Sequence, residues 1–326
     1  MKSLLAILIL LAAVGAWSDE SKLQITEILV PWENTRPRDP DVAPDGNIWL
    51  VGQAGDYIAR YDTGSGEFSR FDLPDGAGPH NLIVDPDGSI WYSGNRQGYI
   101  GHMDQHTGKV KKIPMPDPDT RDPHTLVFDH KGNIWFTAQH ANIVGRMNME
   151  TEKVDIVRVP TAKARPYGIK IDPDGRPWVV LVGSYKLFTV DPETLVGTEI
   201  ELPRSDARPR RVELTSDGRV WYVDYAKGYL GVYDPSDGKF TEWRTPGGEK
   251  SGPYGMAVDG QDRLWFVETW QNPNRFVGFE PKSGKFFSSA LIESGGGSVR
   301  HMVYDSKRNA IWFGTDTNYL GRADLP

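Results

Sequence analysis

Apolar positions along this chain fall in short alternating runs, not in helical stripes. Leu82-Ile83-Val84 and Ile90-Trp91-Tyr92 flank Pro86-Asp87-Gly88, which is the pattern of two strands joined by a tight turn. Tyr99-Ile100-Gly101 forms a third run, Thr107-Gly108-Lys109 a second turn, and Val110 to Ile113 a fourth run that Pro114 closes. Variants of this unit recur along the chain, for instance from Asp122 to Arg146. No stretch shows a 3.6-residue period of useful length, so each unit is predicted to be four short strands.

The units keep a fixed period. Trp49, Trp91, Trp135, Trp178, Trp221, Trp265 and Trp312 share one context, at spacings of 42, 44, 43, 43, 44 and 47 residues. A period in the forties marks a repeat architecture. Eleven residues before each of the first six lies a residue that follows proline: Arg38, His80, His124, Tyr167, Arg210 and Tyr254. An extra residue near Lys307 to Asn309 makes Arg300 the seventh equivalent. Seven copies of a four-stranded unit predict an all-β fold, a seven-bladed β-propeller. Gln24 to Trp32 resembles a lone fourth strand, while the chain stops at Asp324-Leu325-Pro326, just after a third. Pairing of this N-terminal strand into the last blade would close the ring and remove two exposed edges. The expected organisation is a secretory leader over residues 1–18 and one propeller domain over residues 19–326.

Composition narrows the setting. Lys2 followed by the apolar run Leu4 to Val14 and the small residues Gly15 and Ala16 reads as a leader too short to span a bilayer. A periplasmic or secreted location is expected, with no membrane association after cleavage. The absence of cysteine excludes disulfides, thiolate ligands and lipoprotein acylation. The net charge of −7 without a basic tract argues against a nucleic-acid partner. A closed ring needs no partner for stability, so a monomer is expected.

In such a ring the innermost strands line the axis, and strand alternation carries the residue after each opening proline to one mouth of the channel. Residues three to five positions after each tryptophan should join them, among them Gln53, Asn95, Arg96, Gln139, His140, Asp224, Tyr225, Glu268, Trp270 and Asp316. These positions are polar or aromatic where an ordinary strand would be apolar. A hydrated channel would also produce a polar funnel, but the side chains group: His80, Asp122, His124 and His140 in blades two and three, and Arg210, Asp224, Tyr254 and Glu268 in blades five and six. His102, His106 and His130 read as solvated, and His301 as facing the opposite side. Any metal would be assembled across blades from histidine and carboxylate ligands suited to zinc, manganese or magnesium.

The repeat P-H-x-L-x-x-D-x-x-G-x-I-W-F-T…N-x-I/V-G-R resembles that of the streptogramin lyases, the virginiamycin B lyase family, over essentially residues 24–326. The resemblance implies a seven-bladed propeller that opens a cyclic depsipeptide antibiotic at its ester by elimination, with magnesium, and hence a part in antibiotic resistance. Carried over to this chain, His80 takes the place of the first histidine, Asp122 the acidic place and His124 the general base. The family's final glutamate position is Ala138. In the alternative register Glu268 matches that glutamate, while Arg210, Gly252 and Tyr254 occupy the other three places. Neither register is complete.

Three functions follow as expectations. The first is a carbon–oxygen lyase acting by β-elimination, with His80, His124, Tyr254 and Arg210 as catalytic candidates. Arg38, Tyr167, Trp270, Arg300 and His140 would bind substrate, and Asp122, Glu268 and Asp224 would hold Mg2+ or another divalent cation. Its substrate would be a small molecule or an oligosaccharide, and the arginines suit acidic sugars, whose carboxylate a guanidinium clamps in bidentate fashion. The second is a metal-dependent lactonase or esterase. The third is a non-catalytic propeller that binds a carbohydrate or protein partner through Trp270 and Tyr225.

Overall fold

The computed structural model describes residues 23–129 and 131–326. The leader proposed for residues 1–18, and His130, lie outside the described residues. Those described form seven four-stranded antiparallel sheets and two short 3-10 turns. In six sheets the chain runs outward in order, as in Pro123–Phe128, Asn133–Ala138, Ile143–Asn148 and Val154–Arg158 of the third. The seventh starts at Met302–Asp305 and takes Gln24–Leu29 as its outermost strand, with Gln24 opposite Asp324 and Leu29 opposite Tyr319. The ring closes as expected, and innermost strands of successive sheets pack against one another around the axis.

The repeated residues hold the sheets in place. The seven repeat tryptophans are at most 5% exposed, and apolar clusters bridge neighbouring blades; Trp135 of blade three packs with Ile169, Val179 and Phe188 of blade four. In blades three, four and six the indole Nε1 donates to an aspartate six residues back, at 3.1 Å to Asp129, 2.9 Å to Asp172 and 2.8 Å to Asp259. That aspartate also caps the turn amides, so one side chain ties the hairpin loop to the core. The third-strand glycine has an equally local reason. A Cβ on Gly101, Gly145, Gly231 or Gly321 would collide with the aromatic ring of the adjacent second strand. Over four of the tryptophans lies an arginine, as with Arg146 over Trp135 and Arg263 over Trp265, both at 5.5 Å, and likewise Arg219 over Trp221 and Arg322 over Trp312. In blade two His102 stands opposite Trp91 as Arg146 stands opposite Trp135. It stacks on Trp91 at 4.0 Å with the planes 2° apart, so it serves the packing and is not simply solvated.

A bulge shapes the channel. In the third blade Pro123 pairs with Ala138, yet Leu126 pairs with Phe136, so the inner strand carries one extra residue there. Register shifts recur after Arg38, Pro79, Pro166, Pro209 and Pro253. Bulges re-aim side chains and commonly sit beside functional sites.

Candidate functional site at the channel mouth

The bulge brings the residues that follow each proline together. His80 and His124 pack with ring centroids 3.5 Å apart and planes inclined at 40°, and His124 packs against Tyr167 at 4.2 Å. The Tyr167 hydroxyl is hydrogen-bonded to that of Tyr254. The Arg210 guanidinium lies 4.6 Å from the Tyr254 ring and 4.0 Å from the Tyr225 ring. The two groupings in the sequence, blades two and three and blades five and six, are therefore halves of one continuous site. Arg38 joins from blade one, donating to Gln53 at 3.0 Å and to Asp39 at 2.9 Å. Arg300 joins from blade seven, paired through both nitrogens with Asp316, 2.7 Å from Nη2.

Below this ring lies a second polar layer that sequence reasoning passed over. Arg211 donates to the Arg300 carbonyl at 2.6 Å and lies 3.5 Å from both Asp39 and Thr125. Asn81 bonds to Asp39 at 3.3 Å and accepts from the Leu126 amide at 2.8 Å. The signal was legible: Arg38-Asp39, His80-Asn81, His124-Thr125, Arg210-Arg211 and Arg300-His301 are pairs of consecutive polar residues. Strict alternation turns one member of each pair away from the axis, whereas a bulge lets both face it.

The electrostatics are dominated by guanidinium. Burial would push the Tyr167 hydroxyl up, but Arg38, Arg211 and Arg210 outweigh it and hold its pKa below the ordinary tyrosine value. Burial and the neighbouring Tyr167 push Tyr254 up. Of the two hydroxyls, Tyr167 is thus the easier to ionise and Tyr254 the one that holds its proton more firmly. Burial and Arg38 hold His80 and His124 well below the usual range, so both imidazoles are neutral. Burial opposes ionisation of Asp39, yet Arg38 and Arg211 keep it a carboxylate. Arg38 Nη2, His80 Nδ1 and Arg210 Nε lack hydrogen-bond partners among the described residues. Leaving a buried polar group unpaired costs about 1–3 kcal/mol, so the concentration of three at one spot marks a place built to meet a ligand or water.

The three expected metal ligands do other work. Asp122 has a left-handed backbone at φ 68°, and its carboxylate accepts from the His140 and Ala141 amides at 2.7 and 3.0 Å. Burial lifts its pKa and those amides pull it back. Asp224 accepts from the Arg208 amide at 2.9 Å and from Arg204 at 2.6 Å. Glu268 accepts from the Gly247 amide at 2.7 Å and lies 3.5 Å from Arg275. Each anchors the loop of its own blade. Among the described residues no group of three or more histidines and carboxylates is placed to hold a metal ion; Asp122 and Asp224 are taken up by amides and by Arg204, whereas Glu268 keeps one carboxylate oxygen without a hydrogen-bond partner among those residues.

Two expected substrate contacts lie on the rim. His140 is exposed in a cleft with Arg96, Arg121 and Arg158. Trp270 is 47% exposed, and its indole donates to the Tyr225 hydroxyl at 2.7 Å.

A model of the virginiamycin B lyase family matches residues 13–272 and 153–325. The chain belongs to the virginiamycin B lyase family. Selenomethionine-substituted virginiamycin B lyase from Staphylococcus aureus superposes with a TM-score of 0.85 at 21% identity, covering 94% of this chain and 100% of that one. A streptogramin B lyase structure gives a TM-score of 0.85 at 20% identity, over 96% and 100% of the two chains. A catalytically inactive histidine-to-alanine variant of the S. aureus enzyme, with quinupristin, matches at 0.85 and 22% identity, over 94% and 100%. The extracellular domain of a one-component system from B. thetaiotaomicron matches at 0.70 and 15% identity, over 91% of this chain and 39% of that one. At these identities the likenesses show the fold. No curated protein matches by sequence.

Proposed function

We propose that this family member is a carbon–oxygen lyase that acts by β-elimination at the channel mouth on a substrate bearing a carboxylate. The observation that carries the reading is the Tyr167–Tyr254 hydroxyl pair set among the guanidiniums of Arg38, Arg210 and Arg211.

In this reading the substrate carboxylate lies against Arg210 and Arg38, which have unpartnered nitrogens. Tyr167, the more acidic of the pair, takes the proton next to the carboxyl as its phenolate. The arginines bear the enolate charge as it forms. The carbon–oxygen bond then breaks, and the Tyr254 hydroxyl protonates the departing oxygen. Transfer of the proton from Tyr167 to Tyr254 across their hydrogen bond restores the starting state. His124, neutral and packed against Tyr167, orients it, and with His80 against its other side supplies a second base within the same wall. The deposit of positive charge, the family membership and the proton-sharing pair support elimination over hydrolysis. The leader-like start and the extracellular setting of one structural neighbour fit an exported enzyme.

The test is the formation of an unsaturated product, followed by ultraviolet absorbance, from a streptogramin B antibiotic and from uronate oligosaccharides. Tyr254→Phe, Tyr167→Phe and His124→Ala should each lower turnover by about 10²–10⁴-fold with the fold intact. Full activity in both tyrosine variants sinks the proposed chemistry. Incorporation of solvent oxygen without a new double bond replaces it with hydrolysis.

A further inference from the structure

The rim on one side of the mouth is strongly basic, although the chain carries a net charge of −7. One cleft of about 560 Å³ between blades two and three is lined by Arg96, Arg121 and Arg158. A second, of about 530 Å³, is lined by Lys163, Arg165 and Arg208 and opens into the mouth at Arg210. Gln139 lines one cleft and His140 the other, so the two are adjacent. Asp122, one of two carboxylates in the arc, is already held by backbone amides. Among the described residues Arg96, Arg121, Arg158, Lys163, Arg165 and Arg210 have no carboxylate within 4.0 Å, whereas most other cations near the surface are paired, such as Arg146 with Asp155 and Lys186 with Glu199. Seven cations against two carboxylates leave a concentrated positive field on an otherwise acidic molecule.

An aromatic platform borders the same cleft. Trp270 lines it, fixed edge-on to Tyr225 at 4.8 Å, while Gly252 packs directly against the indole. A large exposed aromatic held rigid in this way suits stacking on a sugar ring. Lys163 and Arg165 are presented by backbone at φ 55° and 57°, a conformation that non-glycine residues adopt at a cost, and the Arg165 amide donates to the Asn142 side-chain Oδ1 at 3.0 Å.

We infer that the arc from Arg96 to Trp270 is an extended subsite for an acidic oligosaccharide, which threads a uronate residue into the mouth. The inference rests on the elimination reading, because a 4-linked uronate unit carries in one ring the three features that reaction needs. These are a carboxylate for Arg210, an acidic hydrogen on the adjacent carbon and a glycosidic oxygen one carbon further. A phosphodiester chain would match the charge but offers neither the hydrogen nor the leaving group. Successive carboxylates of the sugar chain meet successive guanidiniums, and the ring nearest Arg210 stacks on Trp270.

The experiment is calorimetric titration of the whole protein with mono-, di- and tetragalacturonate, with cellotetraose as the neutral tetramer and a tetradeoxynucleotide as the phosphate polyanion. Affinity is expected to rise at least tenfold from monomer to tetramer and to weaken with salt. Lys163→Ala/Arg165→Ala should reduce tetramer affinity about tenfold and shrink the tetramer-to-monomer ratio. Trp270→Ala should lower tetragalacturonate affinity but leave the salt dependence in place. A tetramer bound no more tightly than the monomer, or cellotetraose bound equally well, overturns the subsite. A tetradeoxynucleotide bound as tightly assigns the arc to phosphate chains and overturns it as well. Length-dependent binding without an unsaturated product keeps the arc and sinks the elimination, whereas product formation without length dependence does the reverse.

Discussion

The two ends of the innermost hairpin obey different rules. At the turn end one arrangement recurs in blades three, four and six: an aspartate caps the turn and accepts from the buried tryptophan, as in Asp129–Trp135, Asp172–Trp178 and Asp259–Trp265. Thr215 substitutes for it against Trp221 at 3.0 Å. At the mouth end the equivalent positions hold arginine, histidine, histidine, tyrosine, arginine, tyrosine and arginine. Repetition at the turn reflects a packing problem common to the blades, whose tryptophans are all buried. Variety at the mouth reflects a site that the ring assembles once, each blade contributing a different group. The carboxylates bear this out: Asp122, Asp224 and Glu268 flank the mouth yet bond to backbone amides of their own blades, and so belong with the packing.

The contrast can be probed from its strongest consequence to its weakest. Trp265, fully buried, should cost about 3–5 kcal/mol when truncated to alanine, seen as a lower denaturant midpoint. Tyr254→Phe removes only a hydroxyl and should leave that midpoint near the parent's; a comparable loss would erase the distinction between the two ends. Arg211→Met should cost about 2 kcal/mol, because Asp39 would keep Arg38 but lose its second cation in a buried layer.

The channel should also set the acid sensitivity. His80 and His124 are held well below the usual histidine range by burial and Arg38, and burial and Arg211 bring His301, at the opposite end, down to about 3. All three are neutral when folded, so below about pH 6.5 the unfolded chain binds more protons. Stability present above that pH is lost as pH falls, at up to about 1.4 kcal/mol per pH unit for each histidine. Denaturation measured between pH 7 and pH 4 should show this slope, and His124→Gln should flatten it.

The smallest effect belongs to the turn of blade one. Ala43 stands where blades two, three, four and six have an aspartate, and Trp49 Nε1 has no partner among the described residues. Ala43→Asp should supply it and raise stability by about 1 kcal/mol, with no change in ligand affinity. A loss of stability would show that blade one closes its turn by different geometry.

Most of the fold was legible because it is local and repeated. Turn glycines, period-two strands and the tryptophan spacing each report on neighbours within one hairpin, and seven copies of one message leave little ambiguity. Ring closure was legible too, from an orphan fourth strand at one end and a missing one at the other. Candidate mouth residues could be named from the proline spacing, since the bulge sits at the same register in nearly every blade. Their partnerships could not be read that way. Tyr167 meets Tyr254 across 87 residues and Arg211 reaches Asp39 across 172, and no local pattern encodes such a meeting. The roles of Asp122, Asp224 and Glu268 were obscured for the same reason: a carboxylate that caps an amide and one that could hold a cation look alike in a linear sequence. The sequence by itself determined the blades, their number and the identity of the groups facing the axis. Only the closed ring decided which of those groups share a proton, which are neutralised and which stay unpartnered. Those outcomes depend on distances through space, which exist only once all seven blades have converged.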